Sequence, residues 1–253
     1  MSNRLESKVV IVTGGTSGMG AAFARRAASE GATVVIGARD KARGEATVAG
    51  IEAAGGRAHF LPTDVTAEDD VARLVDHAVT EFGGLHGAFN NAGGGDNQRT
   101  FGTTDAAFWH HMIATNLTSV FYSLKYELPA IAASGGGSIV NNASTAAVVG
   151  DAGMPAYVAA KHGVVGLTRS AALDSAKAGV RVNALVTGLI DTPLWRSAVQ
   201  AHPEIEDRFL ERIPTGRPGA EEDVAAFAAF LLSDESRFVN GAALAIDGGF
   251  TAQ

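Results

Sequence analysis

Residues 8–20, Lys8-Val-Val-Ile-Val-Thr-Gly-Gly-Thr-Ser-Gly-Met-Gly20, constrain the fold more than any other stretch of this chain. The unbroken apolar run is what a parallel strand buried on both faces requires. It passes directly into a turn with glycines at 14, 18 and 20, then into a helix-patterned segment from Ala21 to Glu30. Glycine permits the tight turn and lets the backbone approach a pyrophosphate. The helix that follows contributes free N–H groups and a partial positive charge. Strand, glycine-rich turn and helix in this order predict a dinucleotide site.

The rest of the chain repeats the strand–helix alternation. Ala32 to Ala38 reads as a second strand and Lys41 to Ala54 as a helix. Arg57 to Leu61 is a short strand ending at Pro62-Thr-Asp64-Val65. Thr66 is then placed to cap a helix over 67–82, with Asp69 three residues on. Leu85 to Phe89 is a fourth strand leading into Asn90-Asn-Ala-Gly93. Asp105 to Ser134 reads as long and helical, with two helices meeting near His111. Ser138 to Asn142, Val180 to Val186 and Ala242 to Ile246 complete the strands, and a helix is expected over 220–232. The Pro-punctuated stretch 187–218 reads as a lid. Strands alternating with helices imply a three-layer α/β/α fold, a doubly wound parallel sheet of about seven strands. No linker, repeat or low-complexity tract interrupts residues 1–253. One domain is expected, with a cofactor half over about 1–142 and a catalytic and lid half over about 143–253.

Composition narrows the function classes. The 31 glycines are dispersed among apolar runs, which suits many strand–helix turns. With no cysteine, disulfides, Cys-based metal sites and Cys nucleophiles are excluded. The N-terminal residues carry no apolar signal region and no run of 18 apolar residues follows, so a soluble, cytoplasmic chain is expected, with no membrane partner. A net charge of −7 without a basic stripe argues against nucleic acid.

The end of the second strand bears on the cofactor. An acid there would bind an adenosine ribose 2′-OH. This chain has Ala38 followed by Arg39. The missing carboxylate removes repulsion against a 2′-phosphate, and a guanidinium pairs with one bidentately. NADP(H) is therefore favoured over NAD(H). Asp40 leaves the alternative open, since it could occupy Arg39 or face the ribose itself.

The chemistry is concentrated in Ser144 to Lys161. Pro155 is suited to a first helical turn, and the helix it opens carries Tyr157 and Lys161 four residues apart, on one face. A cation beside a phenol lowers a pKa that is otherwise about 10, which makes a tyrosine useful as a general acid. Ser144 lies thirteen residues before the tyrosine.

Taken together these motifs resemble the short-chain dehydrogenase/reductases in their roughly 250-residue form, over nearly the whole chain. The resemblance rests on T-G-x-x-x-G-x-G at 13–20, Asp64, N-N-A-G at 90–93, Asn116, Ser144, Tyr157 and Lys161. Asn183, the Gly188 turn, Asp191-Thr192-Pro193 and Asp247-Gly-Gly249 continue it. It implies a single Rossmann domain. Gly14, Thr16, Ser17, Met19 and Gly20 would line the pyrophosphate turn, Asp64 and Val65 would hold the adenine, and Asn90, Asn91, Ala92 and Gly93 would pack beside the adenosine ribose. Tyr157 and Lys161 would bind the nicotinamide ribose, with Gly188, Ile190 and Thr192 near the carboxamide. Hydride transfer leaves negative charge on a carbonyl oxygen. Tyr157 would protonate that oxygen and Ser144 would add a hydrogen bond, while Lys161 would tune the tyrosine. Asn116 would help hold a water that relays protons.

Two departures stand out. The family usually has Pro-Gly after the sixth strand, where this chain has Thr187-Gly188; without the fixed φ of proline a looser lid is expected. The family's acyl-carrier-protein reductases carry basic residues that here correspond to about Gly135 to Gly137 and Ala178, so a carrier-protein partner is disfavoured. A substrate pocket walled by 94–99, 146–154 and 189–213 would be mainly apolar through Val148, Val149, Met154, Leu189, Leu194 and Trp195. His110 and His111 are adjacent, so they share no helix face and are not read as a metal pair. No catalytic metal is expected. The ending Thr251-Ala-Gln253 resembles bacterial members whose terminal carboxylate lies near a structural Mg²⁺ at the tetramer centre. The reading is an NADP(H)-dependent reductase or dehydrogenase of a small-molecule ketone or secondary alcohol, assembled as a homotetramer. The alternatives are an NAD(H)-dependent dehydrogenase of a sugar, sugar acid or sterol-like alcohol, and a 3-oxoacyl carrier-protein reductase. A non-catalytic dinucleotide-binding module would be expected to have lost Ser144, Tyr157 or Lys161, and none is lost.

Overall fold

A computed structural model describes residues 3–95 and 98–252. The strands are β1 (Val9–Thr13), β2 (Thr33–Ala38), β3 (Arg57–Pro62), β4 (Gly87–Asn90), β5 (Gly137–Asn142), β6 (Val180–Thr187) and β7 (Ala243–Ile246). They form one parallel sheet in the order β3-β2-β1-β4-β5-β6-β7. The helices are α1 (Gly18–Ser29), α2 (Lys41–Ala53), α3 (Glu68–Phe82), α4 (Ala106–Ile113), α5 (Ser119–Ala133), α6 (Pro155–Ser175), α7 (Pro193–Ala201), α8 (Glu204–Leu210) and α9 (Glu221–Leu232).

The two-residue period of a strand sends alternate side chains to opposite faces. In β1, Val10 and Val12 join a core with Phe23 of α1, Ile51 of α2 and Val224 of α9. Val9 and Ile11 join a second core with Leu74 of α3, Leu124 of α5 and Val164 of α6. This is why the first apolar run shows no alternation: both faces are buried, and the result is the three-layer Rossmann-type fold. Phe23 meets Phe89 of β4 edge-on, with ring centroids 4.9 Å apart and both side chains fully buried. Strand order reverses between β1 and β4, which opens a crevice at the carboxyl ends of the strands.

Local expectations are refined and one is corrected. Two helices do follow Asp105, α4 and α5, but they join through a wider, π-type turn at Ala114–Thr118, a few residues beyond His111. Thr66 does not cap α3, whose N-cap is Ala67 and makes no side-chain cap bond. The Thr66 hydroxyl instead donates to Asp64 Oδ1 at 2.7 Å, and the Asp64 N–H donates to Asp70 Oδ2 at 2.9 Å. The lid stretch holds α7 and α8, neither of which buries a residue. Asp96 and Asn97, within the expected 94–99 wall, and Gln253, the expected Mg²⁺ neighbour, lie outside the described residues.

Candidate active site

The glycine turn between β1 and α1 is built for close backbone approach. Gly14 has φ +67°, and its N–H donates to the Gly37 carbonyl at 2.8 Å. A Cβ at Gly20 would stand 2.4 Å from the Gly14 carbonyl oxygen. Ser17 holds the N-cap position of α1 without a side-chain cap bond, and no acid sits in the first turn. The helix therefore offers unclaimed N–H groups to an anion. This cradle fits a dinucleotide pyrophosphate. Met19 departs in part from expectation: its side chain packs against the α1 core, leaving its backbone to face the turn.

Neighbouring strand ends add the next groups. The Asn91 and Ala92 N–H groups both donate to Thr13 Oγ1 at 3.1 Å. Asn91 Nδ2 donates to the carbonyls of Thr13 and Gly14 at 3.2 and 3.4 Å. Asn90 does not join them at the ribose side. Its side chain is buried, donating to Glu127 Oε2 at 2.9 Å and Asn141 Oδ1 at 3.0 Å. Bonds from the Thr66 N–H and hydroxyl hold Asp64 below the usual carboxylate range, with the nearby positive charge of Arg39 adding to the effect. Asp40 takes Arg43, and not Arg39, as its partner. Its carboxylate caps α2, accepting the Arg43 N–H at 3.0 Å, and pairs with Arg43 Nε at 3.2 Å. Arg39 is exposed beside Asp64.

Ser144, Tyr157, Lys161 and Asn116 come together at the carboxyl ends of β4 and β5. Pro155 opens α6 as expected, and Lys161 Nζ lies 5.6 Å from the centre of the Tyr157 ring. The Lys161 ammonium is buried and donates to the Asn142 carbonyl at 2.8 Å. Burial lowers its pKa to about 8. The expected lowering of the Tyr157 pKa by Lys161 is not what this structure shows. Desolvation raises the phenol, and a hydrogen bond with Ser144 opposes the rise. The physical reason is burial, which penalises the phenolate by more than the Ser144 bond favours it, while the ammonium donates to the Asn142 carbonyl. Asn116 lies in the π-type turn, with Oδ1 accepting the Gly94 N–H at 3.1 Å and Nδ2 donating to the Met112 carbonyl at 3.2 Å. A Cβ on Gly93 would stand 2.8 Å from Asn116 Oδ1 and 3.6 Å from Lys161 Nζ. The absence of a side chain at Gly93 keeps the space between them open.

The walls are less uniform than the sequence implies. The Arg99 N–H donates to the Gly153 carbonyl at 2.7 Å, joining the loop after β4 to the loop before α6. Val149, Met154 and Trp195 are partly buried, and Val148 is exposed. Trp195 meets Phe209 edge-on at 5.3 Å, linking α7 to α8. Leu194 is 69% exposed and forms no enclosed wall. Leu189 lines a cavity of about 570 Å³ with Phe227 and Ile246, to which Ser144, Tyr157 and Lys161 contribute no wall. Ile190 turns its side chain into the core, so its backbone alone is left for a carboxamide. Thr192 caps α7 by accepting the Trp195 N–H at 3.2 Å, and a Cβ at Gly18 would lie 3.6 Å from its methyl. Gly188 permits a close crossing, since a Cβ there would stand 2.7 Å from Asp247 Cα. Among the described residues no cluster of three His, Cys, Asp or Glu side chains suits a metal ion.

Comparison with known proteins points one way. Residues 14–251 match a family described as enoyl-(acyl carrier protein) reductase. The chain is 41% identical to cyclohexanol dehydrogenase of Acinetobacter sp. (strain SE19), covering 100% of this chain and 98% of the relative. It is 44% identical to cis-4-hydroxycyclohexanecarboxylate dehydrogenase of Sinomonas cyclohexanicum, with both chains covered in full. The crystal structure of levodione reductase superposes with a TM-score of 0.93 at 36% identity, covering 98% of each chain.

Proposed function

The chain belongs to the short-chain dehydrogenase/reductase family, whose members bind a nicotinamide dinucleotide, and we propose that it is an NADP(H)-dependent oxidoreductase of ring-borne secondary alcohols and their ketones. The observation that carries this reading is the meeting of Ser144, Tyr157 and Lys161 beside the glycine turn. The names of the relatives, cyclohexanol and hydroxycyclohexanecarboxylate dehydrogenases, supply the substrate class.

When bound, the dinucleotide supplies the hydride acceptor or donor. The chain does the rest. In ketone reduction Tyr157 Oη gives its proton to the carbonyl oxygen as hydride reaches the carbon. Alcohol oxidation is the reverse, and there the phenol first releases its own proton to solvent, so that its oxygen can take the hydroxyl proton as the carbinol C–H bond breaks. Ser144 hydrogen-bonds the same substrate oxygen, where charge develops. Lys161 keeps a positive charge under the ring of Tyr157 and passes protons toward the space beside Gly93, where Asn116 holds a relay water. Arg39 takes the 2′-phosphate, and Asp40, occupied with Arg43, offers it no competing partner. Four chains assemble through the long helices α5 and α6 and through α9 and β7, with exposed Phe121 and Leu173 on the first pair.

Cyclohexanol and cis-4-hydroxycyclohexanecarboxylate, each with NADP⁺ and NAD⁺, test the proposal by the absorbance of reduced nicotinamide. Oxidation with NADP⁺ preferred is expected. No turnover with either alcohol would sink the substrate class, and a preference for NAD⁺ would sink the assignment of Arg39. Arg39→Asp is expected to move the preference toward NAD⁺ by about tenfold or more, the scale of one lost charge-assisted pair.

A further inference from the structure

Thr187 ends β6 and is 5% exposed. Its hydroxyl donates to Asn142 Oδ1 at 2.7 Å. Asn142, at the end of β5, hands the pattern on, with Nδ2 donating to Asn91 Oδ1 at 3.0 Å. Asn91 Nδ2 then donates to the carbonyls of Thr13 and Gly14. The row runs from β6 past the ends of β5 and β4 to β1, and every donor points the same way, so each bond polarises the next. It touches the site twice. At its end it holds the Gly14 carbonyl, against which Gly20 packs. At its middle, the residue that carries the side-chain bond, Asn142, presents its backbone carbonyl to Lys161 Nζ at 2.8 Å.

The first donor in the row has no substitute. Asn142 is 6% exposed, and its Oδ1 accepts from Thr187 alone among the described residues. A valine or proline at 187 would leave that oxygen buried and unpaired, which drives the amide to turn and breaks the next bond with it. Any rigidity of the crossing into the lid comes from elsewhere, since Gly188 lies against Asp247 and donates its N–H to the Ile246 carbonyl at 3.0 Å.

We infer that Thr187 is a positioning residue: its hydroxyl sets Asn142, and through Asn142 both the carbonyl that anchors Lys161 and the amide row that ends on the Gly14 turn. The inference rests on the reading of this site as that of a dehydrogenase. Its test compares Thr187→Val, Thr187→Ser and Thr187→Pro in the full chain, with cyclohexanol oxidation and NADPH binding by fluorescence as separate readouts. Thr187→Val is expected to lose about tenfold in kcat with KM for cyclohexanol little changed, and to weaken NADPH binding several-fold. Thr187→Ser is expected to restore both to within about twofold of the parent, the scale of a hydrogen bond kept. Thr187→Pro should behave like Thr187→Val, because it too lacks the hydroxyl. Parental kcat and NADPH affinity in Thr187→Val, or a folded Thr187→Ser as impaired as the valine variant, would overturn the role. If Thr187→Val does not fold, as judged by circular dichroism, Thr187→Ala replaces it with the same expected and contrary results. A parent protein inactive on cyclohexanol defeats the dehydrogenase reading instead, and the NADPH titrations still decide whether the Thr187 hydroxyl acts on the turn.

Discussion

Glu127 is 1% exposed on α5, and its Oε2 accepts from Asn90 Nδ2. Burial raises its pKa from 4.5 to about 7, against the opposing pull of that hydrogen bond. Below pH 4.5 the carboxyl is neutral in both folded and unfolded chains. Between 4.5 and about 7 the unfolded chain ionises first, so this residue's contribution to stability is lost as pH rises, and above about 7 the loss is complete. The full difference is worth about 3 kcal/mol. Glu127→Gln removes the ionisation and places an amide donor beside Asn90, whose buried Oδ1 has no partner among the described residues. Melting curves should show Glu127→Gln stabilised by roughly 5–10 °C at pH 8 and far less at pH 4.5. An equal shift at both pH values would contradict the assignment. Lys161 works in the opposite sense: with its pKa lowered to about 8, its burial destabilises the fold below that pH, and the loss is relieved as pH rises toward the ordinary 10.5. Tyr157 and Lys161 were legible in the sequence because helical spacing alone places them on one face. Glu127 was not, because its surroundings come from β4 and β5, far away in the chain. The direction of the Lys161 ammonium was equally hidden, since its acceptor is a backbone carbonyl and carries no residue identity.

At the level of elements, the strands and most helices were readable from apolar runs punctuated by glycine. The π-type turn was not: Thr115, Asn116 and Thr118 are weak helix formers, but nothing in their spacing marks one extra residue in a turn rather than an ordinary helix or its end. It matters because Asn116 sits in it, and such turns concentrate at functional sites. The Pro-punctuated stretch is legible as a lid, but α7 and α8 within it are not: Pro193 opens the first turn of α7 and Pro203 stands at the N-cap of α8, and proline marks loops as readily as helix starts. Neither helix buries a residue, while the Trp195–Phe209 contact joins them and Arg212 approaches Asp151 at 3.5 Å. Limited trypsin digestion should therefore cut first at Arg196 or Arg208, ahead of any site in the sheet or α6. A first cut within α6 would show that the lid is not the weakest element. Phe209→Ala should raise KM for a cyclic alcohol about threefold to tenfold, the scale of one lost aromatic pair, and leave NADPH affinity unchanged.

Across the whole molecule, the sheet order puts the glycine turn, the β4 and β5 ends and the Thr187 crossing along one edge, so residues spread over 170 positions meet in one crevice. A doubly wound parallel sheet of about seven strands follows from the alternation of strands and helices together with the resemblance, whereas the strand order and the pocket walls do not. Val148, Leu189 and Leu194 are apolar by composition, but which way an apolar lid residue faces is decided by packing. The proposed assembly through α5, α6, α9 and β7 predicts a solution mass of four 25.9 kDa chains by light scattering, and a stable monomer would contradict it. Hydride transfer that depends on the Tyr157 hydroxyl is tested most directly by single-turnover oxidation of cyclohexanol with NADP⁺, comparing the parent protein with Tyr157→Phe at matched dinucleotide saturation. The expected result is formation of reduced nicotinamide by the parent and a loss of about 100-fold or more in Tyr157→Phe with NADPH binding retained. Near-parental turnover in Tyr157→Phe would contradict it.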